Sequence, residues 1–130
     1  PGIGNSITVN QYLSLPHAVV ALTDHQQGVI DQHLAIQRLT RIVRLETPYF
    51  ASAAWTLEGT DMVLTVPNRL AQKLVKVSNT KIIPSPIRFP ELEYVQVWSP
   101  RMDNDQVHHW FRECLANDAQ LQAEGELNDN

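Results

Sequence analysis

The chain has 130 residues, 43% of them hydrophobic and 18% charged, so it can bury a core as a folded domain. The formal net charge of −4 argues against direct binding of a nucleic-acid backbone, because duplex binding requires a basic face. The single cysteine, Cys114, excludes an internal disulfide and fits a cytoplasmic location, and no apolar run approaches the ~20 residues that cross a membrane.

Hydrophobic periodicity predicts alternating strands and helices in the first part of the chain. Strands are predicted at 17–22, 41–46, 62–66 and 81–84, and helices at 27–37, 49–57 and 69–75. The run 62–66 is continuously apolar, which is typical of a strand covered on both faces. Gly59 can close the preceding helix in the left-handed conformation, and Pro67-Asn68 ends the strand and offers a helix cap. The predicted fold class is α/β, with an open, mainly parallel sheet flanked by helices.

The last part of the chain follows a proline-rich connector at 84–90. A strand is predicted at 91–98, and Asp103 with Gln106 forms a capping-box-like helix start. One face of this helix is apolar and carries Val107, Trp110, Phe111, Cys114 and Leu115. We interpret Cys114 as a small core residue and not as a nucleophile. Residues 118–130 are polar and are predicted to form a disordered tail.

The order and spacing of several segments resemble the effector-binding domain of LysR-type transcriptional regulators, over roughly residues 9 to 116. The matching segments are 10–17, 28–31, 43–50, 57–71, 91–101 and 106–113. The subgroup it resembles includes the nodulation and aromatic-degradation regulators. The resemblance implies one lobe of a periplasmic-binding-protein-like fold. Residues 1–92 would be the second lobe, and 93–117 the strand and helix that return to the first lobe.

The resemblance also implies a function. In this family a small-molecule effector binds between two lobes and changes their relative angle, which alters transcription. The family's winged helix-turn-helix is absent from the chain, as is most of the first lobe, so we expect a fragment that contacts DNA only through an absent N-terminal domain. A homodimer or higher homo-oligomer is expected, without membrane association.

Ligands of open α/β sheets bind beyond the carboxyl ends of the strands, and three predicted loops lie there. The effector, a carboxylate or an aromatic compound, would be held by backbone amides at 24–28 and 49–50, by polar side chains and by aromatic rings. The candidate ligand-binding residues are Thr23, Asp24, His25, Gln26, Thr47, Pro48, Tyr49, Phe50 and Pro67. In the alternative interpretation, Thr23 and Asp24 only cap a helix and Phe50 is a core residue.

Metal binding and catalysis receive little support from the sequence. The five histidines include no set of three or four ligands at the spacing of a zinc site, and no cofactor is expected. The nucleophile elbow, the phosphate loop and the dinucleotide fingerprint are absent, and Asp24-His25 with Ser52 is interpreted as a chance adjacency. We therefore expect a protein that is not an enzyme.

The competing hypothesis is an oligomerisation or interaction module that does not bind a small molecule. Without most of the first lobe, the helix face carrying Trp110 and Phe111 would be left uncovered, at a size that marks an interface. We expect this unit to pack against the chain's own sheet edge or to dock onto a second copy. His17 is interpreted as a satisfied polar residue, and His108 as a surface residue.

Overall fold

The computed structural model describes residues 4–21 and 28–128, with the backbone alone at 122–128. The chain separates into two compact units, Pro1–Leu92 and Glu93–Asn130. In the first unit the elements are α1 (Val9–Ser14), β1 (Pro16–Val20), α2 (Val29–Ile36), β2 (Ile42–Thr47), α3 (Phe50–Thr56), β3 (Val63–Leu64) and α4 (Asn68–Leu74). The second unit contains a 3-10 turn at Pro100–Met102 and the long helix α5 (Gln106–Asn128).

The three strands form one parallel sheet in the order β2-β1-β3. Strand β1 is central, and its residue Val20 pairs with Thr47 at the carboxyl end of β2. On the other side, His17 pairs with Val63 and Ala18 with Leu64. The predicted α/β class with an open parallel sheet and flanking helices is confirmed.

Local signals explain where several elements begin and end. Helix α1 begins with a capping box, in which the Thr8 hydroxyl accepts from the Gln11 N–H at 3.2 Å and the Gln11 side chain accepts from the Thr8 N–H at 2.8 Å. Gly59 has φ +71°, which confirms the predicted left-handed residue between α3 and β3. The cap of α4 is Pro67 and not Asn68, because the helix already includes Asn68.

The core of the first unit forms around Tyr12, Leu34 and Ile87. Partly buried apolar side chains complete this cluster: Ile7, Val9, Leu13, Ile30, Leu39 and Phe89. The spacing of apolar residues over 27–37 predicts Ile30, Leu34 and either Ile36 or Gln37 on the inward side of this helix, and Leu34 is buried as predicted. Ile36 is 82% exposed, because α2 ends there.

Two predicted strands lie outside the sheet. The segment 81–84 lies in no ladder, and Pro84 and Pro86 at its end cannot donate backbone hydrogen bonds. The segment 91–98 is also unpaired, since a strand requires a neighbouring strand and the described part of the second unit supplies none. Both segments have side chains that are common in strands, but a strand forms only where the backbone pairs with that of another strand.

The second unit is held by contacts between its extended segment and α5. The Trp98 indole N–H donates to the Asp103 carboxylate at 2.7 Å, and the Arg112 guanidinium lies 4.3 Å from the centre of the Trp98 ring. Arg112 also donates to the Met102 carbonyl at 3.3 Å and to His108 Nδ1 at 2.6 Å. His108 is therefore half-buried and hydrogen-bonded, not a free surface residue.

The start and end of α5 differ from the prediction. Asp105 caps the helix, because its carboxylate accepts from the His108 N–H at 2.9 Å, whereas Asp103 is bound to Trp98. The helix continues to Asn128, so the predicted disordered tail is helical over 118–128. Alanine, glutamine, glutamate and leucine dominate this segment, and they are strong helix formers. Within 4–21 and 28–128, no helix is both long and apolar enough to span a membrane.

Candidate functional site

The carboxyl ends of the parallel strands meet at one edge of the sheet. Strand β1 pairs with β2 up to Val20 and Thr47, and the next backbone contact runs from the Ala21 N–H to the Thr47 carbonyl at 3.1 Å. Strand β3 is parallel to β1, so the residues after it, up to Pro67, leave the sheet toward the same edge. This parallel pairing is what brings loops distant in sequence to one end of the sheet.

Five of the predicted ligand-binding residues lie in the described part of the chain. Thr47 ends β2, Pro48 and Tyr49 follow it, Phe50 begins α3, and Pro67 caps α4. We call these five residues the strand-end surface. The other four predicted residues, Thr23, Asp24, His25 and Gln26, lie outside the described residues.

The strand-end surface offers the Thr47 hydroxyl, the Tyr49 ring with its phenolic hydroxyl, and the Phe50 ring. Tyr49 is 68% exposed and Phe50 is 39% exposed, so the alternative interpretation of Phe50 as a core residue is wrong. The Thr47 hydroxyl receives only a long hydrogen bond, 3.4 Å, from the Tyr49 N–H. Helix α3 has 7 residues, so few peptide dipoles align at its start. The rings and the Thr47 hydroxyl, more than the helix end, define what this surface can bind.

A buried polar cluster lies at the start of β1. His17 is fully buried, and its Nε2 donates to the Tyr12 carbonyl at 2.8 Å, since a carbonyl can only accept. Among the described residues its Nδ1 has no hydrogen-bond partner, which corrects the interpretation of His17 as a satisfied polar residue. The Tyr12 hydroxyl shares a 2.7 Å hydrogen bond with Thr65, the residue after β3. This bond ties α1 to the chain that leads to Pro67.

Burial lowers the pKa of the His17 imidazole below its ordinary value of 6.5. Desolvation is the main cause, and the positive charge of Arg41 acts in the same direction. The hydrogen bond to Tyr12 and the carboxylate of Asp31 oppose it more weakly. His17 is therefore a neutral structural residue at physiological pH.

Arg41 and Asp31 form a bidentate ion pair near His17. The Arg41 Nε and Nη2 donate to the two Asp31 oxygens at 2.7 Å each. The Arg41 side chain is only 3% exposed and that of Asp31 is 28% exposed. Sequence reasoning missed this pair, although opposite charges ten residues apart at the start of α2 and just before β2 were a signal that it could have used.

A large groove lies beside β3. It has a volume of about 1000 Å³, and its lining includes β3, parts of α4 and the segment 79–86. None of the five residues of the strand-end surface lines it. Its lining includes the half-buried side chains of Val63, Leu64 and Val66. They belong to an apolar run that is typical of a strand covered on both faces. No sequence signal points to this groove, because a strand at 81–84 would extend the sheet there.

The described residues contain no candidate metal site. Within the described ranges no three histidine, cysteine, aspartate or glutamate side chains are placed to hold a metal ion. His109 and Glu113 approach to 3.6 Å on α5, but both side chains are more than half exposed. Cys114 is exposed, so its interpretation as a core residue is wrong.

The second unit presents an exposed apolar face on α5. The expectation that Trp110 and Phe111 are left uncovered is confirmed, with exposures of 63% and 53%. Cys114 is exposed on the same face. Val107, Leu115 and Leu121 are also exposed, at 75%, 47% and 68%. We call these six residues the apolar stripe.

Comparisons with known proteins identify the family. The chain is 28% identical over 109 residues to the HTH-type transcriptional activator NahR of Pseudomonas putida, which covers 84% of this chain and 36% of that protein. It is 26% identical over 120 residues to nodulation protein D 2 of Rhizobium tropici, covering 92% of this chain and 38% of that protein. No protein-family model matches the sequence.

A solved structure agrees with these relatives. The regulatory domain of MexT, a transcriptional activator in Pseudomonas aeruginosa, superposes with a TM-score of 0.69 at 29% identity, covering 87% of this chain and 55% of that one. The chain spans less than two fifths of the length of the curated relatives described above. With a parallel sheet of the expected kind, these relatives show that the chain belongs to the LysR-type transcriptional regulators and forms part of their effector-binding domain.

Proposed function

We propose that the first unit provides one side of a small-molecule effector site, and that the strand-end surface is the part that contacts the effector. The observation that carries this proposal is the parallel pairing that ends at Val20 and Thr47. The carboxyl ends of β1 and β2 lie at the same edge of the sheet, and open α/β sheets bind ligands beyond that edge. The relatives support a regulatory role, because they are transcriptional regulators or regulatory domains.

The exposed groups favour a small aromatic carboxylate as the effector. Tyr49 and Phe50 offer ring faces, and the Thr47 hydroxyl can donate to a carboxylate oxygen. One side of a cleft supplies only part of the contacts, so we expect this chain to bind weakly, with a Kd on the order of millimolar. In the longer protein the effector would bridge two lobes and shift the equilibrium between their arrangements, and DNA would be bound by a separate winged helix-turn-helix domain.

The test is a titration with benzoate, followed through the amide chemical shifts of the chain. We expect saturable changes at 23–28 and 47–50, weaker changes with the uncharged analogue benzyl alcohol, and a loss of affinity in Thr47→Val. A matched control is Thr56→Val, which removes a hydroxyl at the far end of α3. Changes confined to the groove residues 79–86, or no saturable change at the strand ends, would contradict the proposal.

A second candidate function, assembly through the second unit, is favoured by the exposed apolar stripe. The two functions use different residues and different units, so one titration separates them. Benzoate shifts depend on ligand concentration, whereas assembly shifts depend on protein concentration.

A further inference from the structure

The segment 65–67 joins β3 to α4 and ends at Pro67, a member of the strand-end surface. The ladder between β1 and β3 stops where Ala18 pairs with Leu64, whereas the ladder between β1 and β2 continues to Thr47. Proline has no N–H, so Pro67 cannot donate a backbone hydrogen bond to the sheet. The position of Pro67 relative to Thr47 therefore depends on how the two preceding residues are held.

A side-chain hydrogen bond ties this segment to the core of the first unit. The hydroxyl groups of Thr65 and Tyr12 lie 2.7 Å apart, and Tyr12, which lies on α1, is only 3% exposed. The Tyr12 carbonyl accepts from His17 Nε2 at 2.8 Å, and the two rings pack edge to face with their centres 4.7 Å apart. Because its ring and its backbone are both held by buried neighbours, Tyr12 offers its hydroxyl as a rigid anchor for Thr65.

We propose that Tyr12 is a positioning residue of the effector site, whose hydroxyl, through Thr65, holds Pro67 in the place where it and Thr47 contact the same effector. This inference rests on the proposed function and deepens it, because it says what sets the spacing between two loops of the strand-end surface. Tyr12 is buried, so it acts without touching the effector. A displaced loop weakens binding even when every contacting side chain is still present, since the site is no longer preorganised.

A purely structural role for the same bond is the competing explanation. Tyr12 and Thr65 also line the groove beside β3, so their bond would then serve only to close the wall of that groove. In that case its loss would lower the stability of the chain and leave effector binding unchanged. A neutral hydrogen bond changes an equilibrium roughly 2- to 10-fold, and only part of this effect reaches the effector, so a positioning role predicts a rise in Kd of about threefold.

The test is the benzoate titration of the full chain, read at two amides. The Asn68 N–H reports on the segment 65–67, and the Tyr49 N–H reports on the loop after β2. Tyr12→Phe and Thr65→Val each remove one hydroxyl of the bond, and each should raise the Kd about threefold. In both variants the saturating shift of Asn68 should shrink more than that of Tyr49. The double variant should bind no more weakly than either single variant, because both substitutions remove the same bond.

The matched control is Ile87→Val, which trims the same core cluster and leaves the bond intact. It should lower the midpoint of urea unfolding and change neither the Kd for benzoate nor the ratio of the two amide shifts. If the unsubstituted chain shows no saturable shift at Tyr49, the proposed function and this inference are overturned together. Saturable binding that Tyr12→Phe leaves unchanged, or that Ile87→Val weakens equally, overturns this inference alone.

Discussion

The ion pair between Arg41 and Asp31 gives the sharpest test of the first unit, because its two partners differ in burial. The Arg41 side chain is 3% exposed and that of Asp31 is 28% exposed. Asp31→Asn leaves a nearly buried guanidinium without its countercharge, whereas Arg41→Met leaves a carboxylate that water can still reach. We therefore expect the substitution of the more exposed partner to be the more destabilising one.

The magnitudes follow from the same geometry. Breaking a buried pair from one side costs about 3–5 kcal/mol, and the partial exposure of Asp31 puts Asp31→Asn near ~3 kcal/mol. Arg41→Met replaces the buried charge by an apolar side chain of similar length, so we expect a cost of about 1 kcal/mol. With a typical urea dependence of ~1–3 kcal/mol/M, Asp31→Asn should lower the unfolding midpoint by roughly 1–3 M.

Urea unfolding followed through Trp55 measures both variants. Replacing Trp98 and Trp110 by phenylalanine leaves Trp55 as the fluorescent reporter of the first unit. The double variant completes a thermodynamic cycle and gives the coupling energy of the pair. Equal costs for the two single variants, or costs below about 0.5 kcal/mol for both, would refute the reasoning from burial.

The remaining predictions concern one residue each. Burial lowers the pKa of His17, so in acid the unfolded chain binds a proton at this residue more readily than the folded chain does. The contribution of His17 to the free energy of unfolding should therefore be fully present above about pH 6.5 and be lost as the pH falls below it. Urea unfolding at several pH values should show that His17→Phe removes this part of the pH dependence. Gly59→Ala should cost roughly 1–2 kcal/mol in thermal unfolding, since φ is +71° and no atom lies within 4 Å of an added Cβ, so the cost is conformational. Arg112→Met should remove the stacking on Trp98 and shift the Trp98 indole N–H resonance. Arg112→Lys keeps the positive charge but lacks the planar guanidinium, so it should shift this resonance less than Arg112→Met does.

Each of these predictions has its own control. An acid slope that survives His17→Phe would assign it to groups other than His17. Gly28→Ala tests a glycine whose φ is −62°, so it should cost less than Gly59→Ala. An unshifted Trp98 resonance in Arg112→Met would show that the ring contact does not exist in solution.

Much of the fold follows from the sequence, because its signals are local. The continuous apolar run before Pro67 predicts β3, Gly59 predicts the left-handed turn, and the spacing of α2 predicts the buried Leu34. Each signal depends on neighbours within a few residues, where backbone sterics and side-chain periodicity act directly. The order of such segments was also enough to indicate the family.

The candidate site is only partly predictable, since it depends on which loops end at the same edge. The sequence predicts Thr47 and Tyr49 as ligand-binding residues near a strand end. For Phe50 it leaves two interpretations open, a ligand-binding residue or a core residue, and the exposure of the side chain in the structure decides against the core. Parallel pairing of β1 with β2 puts Thr47 beside the end of β1, and pairing is a contact between residues distant in sequence.

Tertiary structure alone decided the remaining features. The segments 81–84 and 91–98 have the composition of strands, yet neither lies in a ladder, because a strand exists only when another supplies its hydrogen bonds. The ion pair of Arg41 with Asp31, the unpartnered nitrogen of His17 and the exposure of Cys114 likewise depend on what lies beside each side chain in space. Composition and periodicity determine which segments can fold into each element, whereas pairing and burial determine which surfaces are left to bind a partner.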